Sequence, residues 1–248
     1  MTTSALDHPK RALPIESAQN VRDLGGYKTA DGAETRWHRF VRAGDMDQMT
    51  GTDQQRLLDH GIGTIVDLRM DKEIAAAPNV FTAHRHARFV IHDFWGKRFD
   101  AYRSKNKTAS LDQKLAALYC EGLVESGFVI AEIMATFADD RTGGYAFHCR
   151  SGKDRTGLVA ALLLAIAGVP APTICDDYGL TANFLISPDA DKQIDPNQPG
   201  AYLRGCAPAT MAMTLGFLDQ TFGSPLGYLQ HIGVTGAQIS AIKSKLLD

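Results

Sequence analysis

The sequence predicts an α/β fold, a central and mainly parallel sheet flanked by helices. Three observations carry that expectation. Short apolar runs such as "TIVDLR" (Thr64–Arg69) and "GGYAFHC" (Gly143–Cys149) alternate with segments of helical spacing. The stretch Arg155–Gly168 is apolar nearly all round, as a helix buried against a sheet would be. The 248 residues contain no repeat, no low-complexity tract and no linker rich enough to split them. One domain over residues 15–248 is therefore expected, behind a polar, loosely attached N-terminus at residues 1–14.

The elements follow in order. "NVRDLGGYKTADG" (Asn20–Gly32) is turn-rich, with Gly25-Gly26 and Asp31-Gly32 bracketing a short strand. Thr52–Gly63 reads as a capped helix, with Thr52 at the N-cap, Gln55 three residues on and Gly61 as the stop. Thr64–Arg69 follows as a buried strand, and "ARFVIHDF" is the next strand candidate. Trp95–Ser110 is basic and aromatic without a period and reads as loop. The segment from Ser110 to Asp139 has helical spacing interrupted near Ser126-Gly127, hence two helices. After the strand Gly143–Cys149 and the buried helix comes a helix around Ile174–Leu185, then a Pro/Gly/Asp-rich loop (Ser187–Gly205). Helices from Pro208 to Phe222, near Pro225–Ile232 and over Thr235–Leu247 complete the chain.

Composition narrows the partners. With 44% hydrophobic and 22% charged residues the chain is an ordinary globular one. A net charge of −2 gives no reason to expect nucleic-acid binding or a polybasic membrane contact. The longest apolar run, Leu158–Val169, is too short for the roughly 20 residues that span a bilayer, so no stable membrane insertion is expected. No signal peptide is visible, and a cytoplasmic setting is the default, with export by another route left open. Cys120, Cys149, Cys175 and Cys206 lack the spacing of a disulfide framework or a zinc site. Cys120, Cys175 and Cys206 read as buried thiols, any of which could form a protective disulfide with Cys149.

The chemistry concentrates in "AFHCRSGKDRTGL" (Ala146–Leu158). Cys149 ends a strand and Arg155 opens a helix, at the spacing Cys-x5-Arg. A loop of this length turns backbone N–H groups toward one point, where the free amides and dipole of the helix N-terminus also converge. Such a field favours a thiolate, and a thiolate beneath a phosphate cradle is placed to attack phosphorus. Gly152 permits the tight turn, and Arg155 has the planar fork that grips two phosphate oxygens. Thr156 can donate its hydroxyl to Cys149, and His148 is expected to orient the loop rather than act as a base. Lys153 would add positive charge at the rim, beside Arg150 and Ser151 in the phosphate-binding loop. Asp154 is a carboxylate within an anion cradle, for which protonation of the leaving oxygen is the evident task. Asp93 in "HDFWG" is the rival acid. Asp67 and Arg69, at the carboxyl end of a strand, either line the site or pin its loops. Arg22 and Asp23 are expected to pair with each other beneath the loop, and Trp95, Phe99 and Tyr102 to form a hydrophobic flap.

"HCRSGKDRTG" is the cysteine-phosphatase signature His-Cys-x-x-Gly-x-x-Arg-Thr-Gly. With "NVRDLGGY", "VDLRMDKE" (Val66–Glu73), "DDYGLTAN" (Asp176–Asn183) and "FGSPLGYLQHIGVT" (Phe222–Thr235), the chain resembles the bacterial tyrosine/dual-specificity phosphatases typified by mycobacterial protein tyrosine phosphatase B. The resemblance runs from about Glu16 onward. It implies a cysteine-phosphatase-like fold with a four- to five-stranded sheet and a phosphocysteine mechanism that uses no metal or other cofactor. It further implies Cys149 as nucleophile, Arg155 as phosphate ligand, Asp154 as candidate general acid, and Arg150 and Ser151 as residues that tune the substrate. Phosphoserine, phosphothreonine and phosphoinositides join phosphotyrosine as implied substrates, the last through Lys153. The expected activity is a phosphotyrosine-directed phosphatase of broad specificity. A phosphoinositide or inositol-phosphate phosphatase is the second reading, and a catalytically silent phosphate-binding module the third. Oligomeric state is left open.

Overall fold

The computed structural model describes residues 8, 10–96, 110–185, 195, 198 and 200–247. Its sheet contains β1 (Arg22–Asp23), β2 (Phe40–Ala43), β3 (Ile62–Asp67), β4 (Arg88–Ile91) and β5 (Gly144–His148). Their spatial order is β1-β2-β5-β3-β4, with β1 antiparallel to β2 and every other pairing parallel. The expected α/β architecture is therefore present. Around the sheet lie α1 (Gly51–Asp59), α2 (Asp71–Ala76), α3 (Leu111–Glu125), α4 (Gly127–Ala138), α5 (Asp154–Ala167), α6 (Ala171–Gly179) and α7 (Thr181–Phe184). A 3-10 turn (Ala201–Arg204) then leads to α8 (Pro208–Phe222), α9 (Pro225–His231) and α10 (Gly236–Leu246).

Strand alternation builds a core on each face. Successive residues of a strand point to opposite faces, and in β5 Tyr145 and Phe147 enter a large cluster with α3, α4 and α5, while Ala146 joins a smaller one with Leu57 and Phe81. Phe147 is fully buried; truncating such an aromatic side chain to alanine typically costs about 3–5 kcal/mol. The sheet also levels the strand ends that matter, because His148 pairs with Ala43 on one side and Asp67 on the other. The chain thus leaves β2, β5 and β3 at one carboxyl edge, where open α/β sheets bind ligands.

Several local expectations are corrected. Helix α1 is capped by Thr50, whose side chain accepts the Asp53 N–H, and not by Thr52. Thr50 wins because Asp53 anchors the helix start, taking the Ser17 and Glu16 N–H groups on its carboxylate. The first strand lies at Arg22–Asp23, with only an isolated Lys28–Glu34 bridge between the glycine turns. Residues 10–14 are not loose: Arg11 is buried, its guanidinium stacked 3.7 Å over Tyr27, and Ala12 bridges to Arg22. The break at Ser126 is present, with that residue ending α3 and opening α4. Trp95 is buried against α3, where a side chain at Gly122 would strike its ring; Phe99 and Tyr102 lie outside the described residues, as does most of Ser187–Gly205.

Candidate active site

The loop from Cys149 to Lys153 links β5 to α5, and its carbonyls are held from outside. The Asp45 N–H donates to the Arg150 carbonyl (2.9 Å), the Asn20 amide to the Ser151 carbonyl (3.0 Å) and Arg42 to the Gly152 carbonyl (2.8 Å). In a planar trans peptide the N–H of the next residue points opposite to the carbonyl. Tying three successive carbonyls outward therefore turns the amides of Ser151, Gly152 and Lys153 inward, and α5 adds the free amides of its first turn. Gly152 has φ of +67°, and a Cβ there would lie 2.5 Å from the Ala43 carbonyl oxygen, so only glycine fits.

The supports are themselves buried. Arg42 NH1 is held by Asp177 Oδ2 (2.5 Å), and Asp177 also takes Arg22 Nε (3.3 Å) and the Tyr27 hydroxyl (2.8 Å). Burial alone would raise the Asp177 carboxyl, but Arg22 and Arg42 outweigh it and hold it well below the usual range. Arg22 reaches Asn20 as well. The expected Arg22–Asp23 pair is thus corrected: Arg22 turns to Asp177, while Asp23 accepts from Gly25 N–H (2.7 Å) and contacts His60 Nε2 (2.6 Å).

The Arg155 guanidinium is only partly engaged by the protein. Its NH1 and NH2 donate to Glu73 Oε2 (2.5 Å) and Oε1 (2.9 Å), a bidentate grip on the end of the guanidinium. Nε is buried and has no hydrogen-bond partner among the described residues, nor has the buried Thr156 hydroxyl. Of the five guanidinium donors, the side edge formed by Nε and the second NH2 proton remains for a ligand. Burial works to lower the Arg155 pKa, but Cys149, Glu73 and Asp154 outweigh it and keep the cation firmly protonated. Burial likewise opposes the Glu73 charge, yet Arg155 and the Met70 N–H hold its carboxyl below the usual range.

The remaining predicted residues divide. Cys149 is buried immediately after β5, at the start of this loop. The bond expected from Thr156 to Cys149 is not formed in this state. His148 is fully buried, with Nε2 2.7 Å from the Asn79 amide and 3.4 Å from Asp67, and Nδ1 3.2 Å from the Cys149 carbonyl. It is fixed on both nitrogens, as an orienting group should be. Asp67 and Arg69 pin loops: Arg69 grips Asp67 (2.6 Å), reaches Asp45 (2.7 Å) and donates to the Ala77 carbonyl (2.7 Å). Burial opposes the charge on Asp67, but His148 and Arg69 hold the carboxyl far below its ordinary value.

Lys153 requires the largest correction. It is not a rim cation but is buried, and its Nζ donates to the carbonyls of Leu203 (2.5 Å) and Gly205 (2.9 Å), 3.4 Å from Asp154 Oδ1. The exposed cation of the loop is Arg150, which lines a cleft of about 640 Å³ with Asp45, Asp47, Lys72 and Glu73. Asp154, the first residue of α5, accepts the Tyr119 hydroxyl on Oδ1 (2.5 Å), and that hydroxyl lies 2.8 Å from Tyr178 Oη. Asp93 lies beyond β4 and accepts the Gly96 N–H (2.8 Å). Burial, seconded by Asp71, pushes its carboxyl up against the pull of Gly96 and Arg155. Glu73, Asn20, Arg42, Tyr119 and Tyr178 were not among the predicted site residues. Glu73 and Asn20 lie inside the motifs "VDLRMDKE" and "NVRDLGGY", which is the signal that could have found them.

Comparison with known proteins identifies the family. The chain matches the model of the tyrosine phosphatase family over residues 13–248. It is similar to a tyrosine-protein phosphatase of Nostoc commune, 30% identical over 222 residues that cover 84% of this chain and 74% of that protein. A Cupriavidus necator protein is 31% identical over 207 residues, 82% of this chain and 73% of the relative. The triple specificity protein phosphatase PtpB of Mycobacterium tuberculosis is 30% identical over 119 residues, 40% of this chain and 42% of that protein. With the cysteine loop, its outward-tied carbonyls and a match across nearly its whole length, the chain belongs to the tyrosine phosphatase family.

Proposed function

We propose that this phosphatase hydrolyses phosphotyrosine, and more slowly phosphoserine and phosphothreonine, through a phosphocysteine at Cys149. The observation that carries the reading is the unspent side edge of Arg155, set beside inward amides at the mouth of a buried thiol. Such an edge matches two equatorial phosphoryl oxygens, and fixed donors around a transferring phosphoryl group stabilise its transition state.

In the first step the Cys149 thiolate attacks phosphorus and the phosphorus–oxygen bond to the leaving group breaks. The departing oxygen takes a proton from Asp154. In the second step water attacks phosphorus, gives its proton to Asp154, and the sulfur–phosphorus bond breaks to release phosphate. Thr156, whose buried hydroxyl has no partner among the described residues, can then donate to the returning thiolate. Because the Lys153 ammonium is taken up by two carbonyls, a phosphoprotein fits the site better than a multiply phosphorylated lipid. A cytoplasmic setting belongs to the same reading; no helix among the described residues is long and apolar enough to cross a membrane.

The acid assignment is tested with Asp154→Asn and Asp93→Asn on aryl phosphates running from 4-nitrophenyl, a good leaving group, to phenyl, a poor one. Asp154→Asn should slow phenyl phosphate by about 100-fold or more, the usual worth of a general acid, and 4-nitrophenyl phosphate far less. The same pattern in Asp93→Asn, with Asp154→Asn near wild type, would move the role to Asp93. Phosphopeptides and phosphoinositides compared in the same assay read the substrate class.

A further inference from the structure

Asp154 is met by a chain of two buried phenols, and the number of protons in that chain restricts where the carboxyl can carry its own. Tyr119 projects from the middle of α3 and Tyr178 from α6, both essentially inaccessible to solvent. Tyr119 Oη is 2.5 Å from Asp154 Oδ1 and 2.8 Å from Tyr178 Oη. The rings meet edge to face, with centroids 6.1 Å apart and planes at 84°. Tyr178 also packs over Gly157, where an added Cβ would lie 3.0 Å from its ring, so the phenols are wedged between three helices.

Each hydroxyl has one proton to donate. Among the described residues, Tyr178 Oη has Tyr119 as its hydrogen-bond partner, and both bonds of Tyr119 are accounted for by Tyr178 and Asp154. Two phenol protons then find acceptors in one order only, with Tyr178 donating to Tyr119 and Tyr119 to Asp154 Oδ1. A proton on Oδ1 would reverse the chain and leave the Tyr178 proton buried without an acceptor, which is costly. Lys153 Nζ, 3.4 Å from the same oxygen, opposes a proton there too. No described residue bonds to Oδ2.

We propose that Tyr119, backed by Tyr178, is a positioning residue that keeps Oδ1 of Asp154 an acceptor and so places the catalytic proton on Oδ2. This inference rests on the reading of Asp154 as general acid. Without it the carboxyl can still ionise, but its proton is no longer confined to the oxygen free to reach the leaving group. The hydroxyl of Tyr119 bonds to Asp154 and Tyr178 and to no loop residue that would bind the oxyanion, so its removal should weaken leaving-group protonation and spare oxyanion binding.

The test compares wild type, Tyr119→Phe, Tyr178→Phe and Asp154→Asn on the aryl phosphate series, with orthovanadate inhibition measured alongside. Tyr119→Phe should slow phenyl phosphate about 10-fold, a fraction of the roughly 100-fold or more that the general acid itself supplies. It should slow 4-nitrophenyl phosphate less than about 3-fold and shift vanadate inhibition less than about 2-fold, both small beside that factor. Tyr178→Phe, which leaves the Tyr119 bond in place, should show the same pattern more weakly, and it carries the test if Tyr119→Phe does not fold. Equal slowing across the series, or weakened vanadate binding in step with it, would mean a merely structural role and overturn the proposal. If Asp154→Asn steepens the leaving-group dependence and Tyr119→Phe does not, the Tyr119 role alone fails. If Asp154→Asn does not steepen it, the acid assignment fails and takes the Tyr119 role with it.

Discussion

At Arg155 the division of five N–H donors decides what the site can hold. Glu73 takes the end edge, and the side edge is left to an anion. A carboxylate in that position aligns the fork while adding negative charge close to a phosphate, so its benefit must lie in orientation. Glu73→Gln keeps the shape but halves the grip, since an amide offers one acceptor oxygen where the carboxylate offered two. Orthovanadate inhibition and kcat/KM on an aryl phosphate should both weaken about 10-fold, roughly 1.4 kcal/mol, with unfolding temperature little changed. Unaltered vanadate inhibition would show that Arg155 needs no such partner. At this scale the sequence singles out Cys149 and Arg155 by residue type and spacing, and the structure sets them at the two ends of one loop. The sequence spoke poorly about Lys153, because a lysine's type does not reveal that carbonyls fifty residues further on will capture it.

At the scale of elements, the unit proposed to do the chemistry is β5, its loop and α5, and that unit was legible as strand, turn and buried helix. What shapes the loop was not. The three donors on its carbonyls come from Asn20, Arg42 and Asp45, each more than a hundred residues earlier in the chain. No local period or spacing encodes a contact of that separation. Strand β2 itself escaped notice because its buried Arg42 interrupts the apolar run "FVRA" that would have marked an interior strand. Helix α2 escaped because six residues, none of them buried, give no amphipathic signal. Asp67 and Arg69 were correctly placed at a strand end, but only the structure chooses between lining and pinning. Their mutual grip, with Asp45 and Ala77 on the far side of Arg69, is spent on holding loops.

Across the whole molecule, the site is suspended from buried charge. Asp177 joins Arg22 of β1, Arg42 of β2 and Tyr27 in one cluster between the sheet and α6. Removing one member of such a buried pair typically costs about 3–5 kcal/mol. Asp67, Glu73 and Asp177 all have carboxyls held below their usual range. A carboxylate depressed in the folded state binds fewer protons there than in the unfolded chain, whose value is near 4. Its contribution is therefore complete above about pH 5 and is lost as pH falls toward the folded value, on the order of 2 kcal/mol for a strongly depressed group. Asp45 and Asp93, raised by burial, act in the opposite sense and offset part of this. Thermal unfolding should consequently move to lower temperature between about pH 5 and pH 3, and Asp177→Asn should be less stable at neutral pH and less sensitive to acid. A flat profile would contradict the role given to these carboxylates. The central claim, that the enzyme works through phosphorus on Cys149, is tested most directly by rapid acid quench with a phosphotyrosine substrate labelled on phosphorus. Wild type should yield one label on the peptide containing Cys149, and Cys149→Ser should yield neither label nor turnover. Turnover surviving in Cys149→Ser, or label on another residue, would contradict the account.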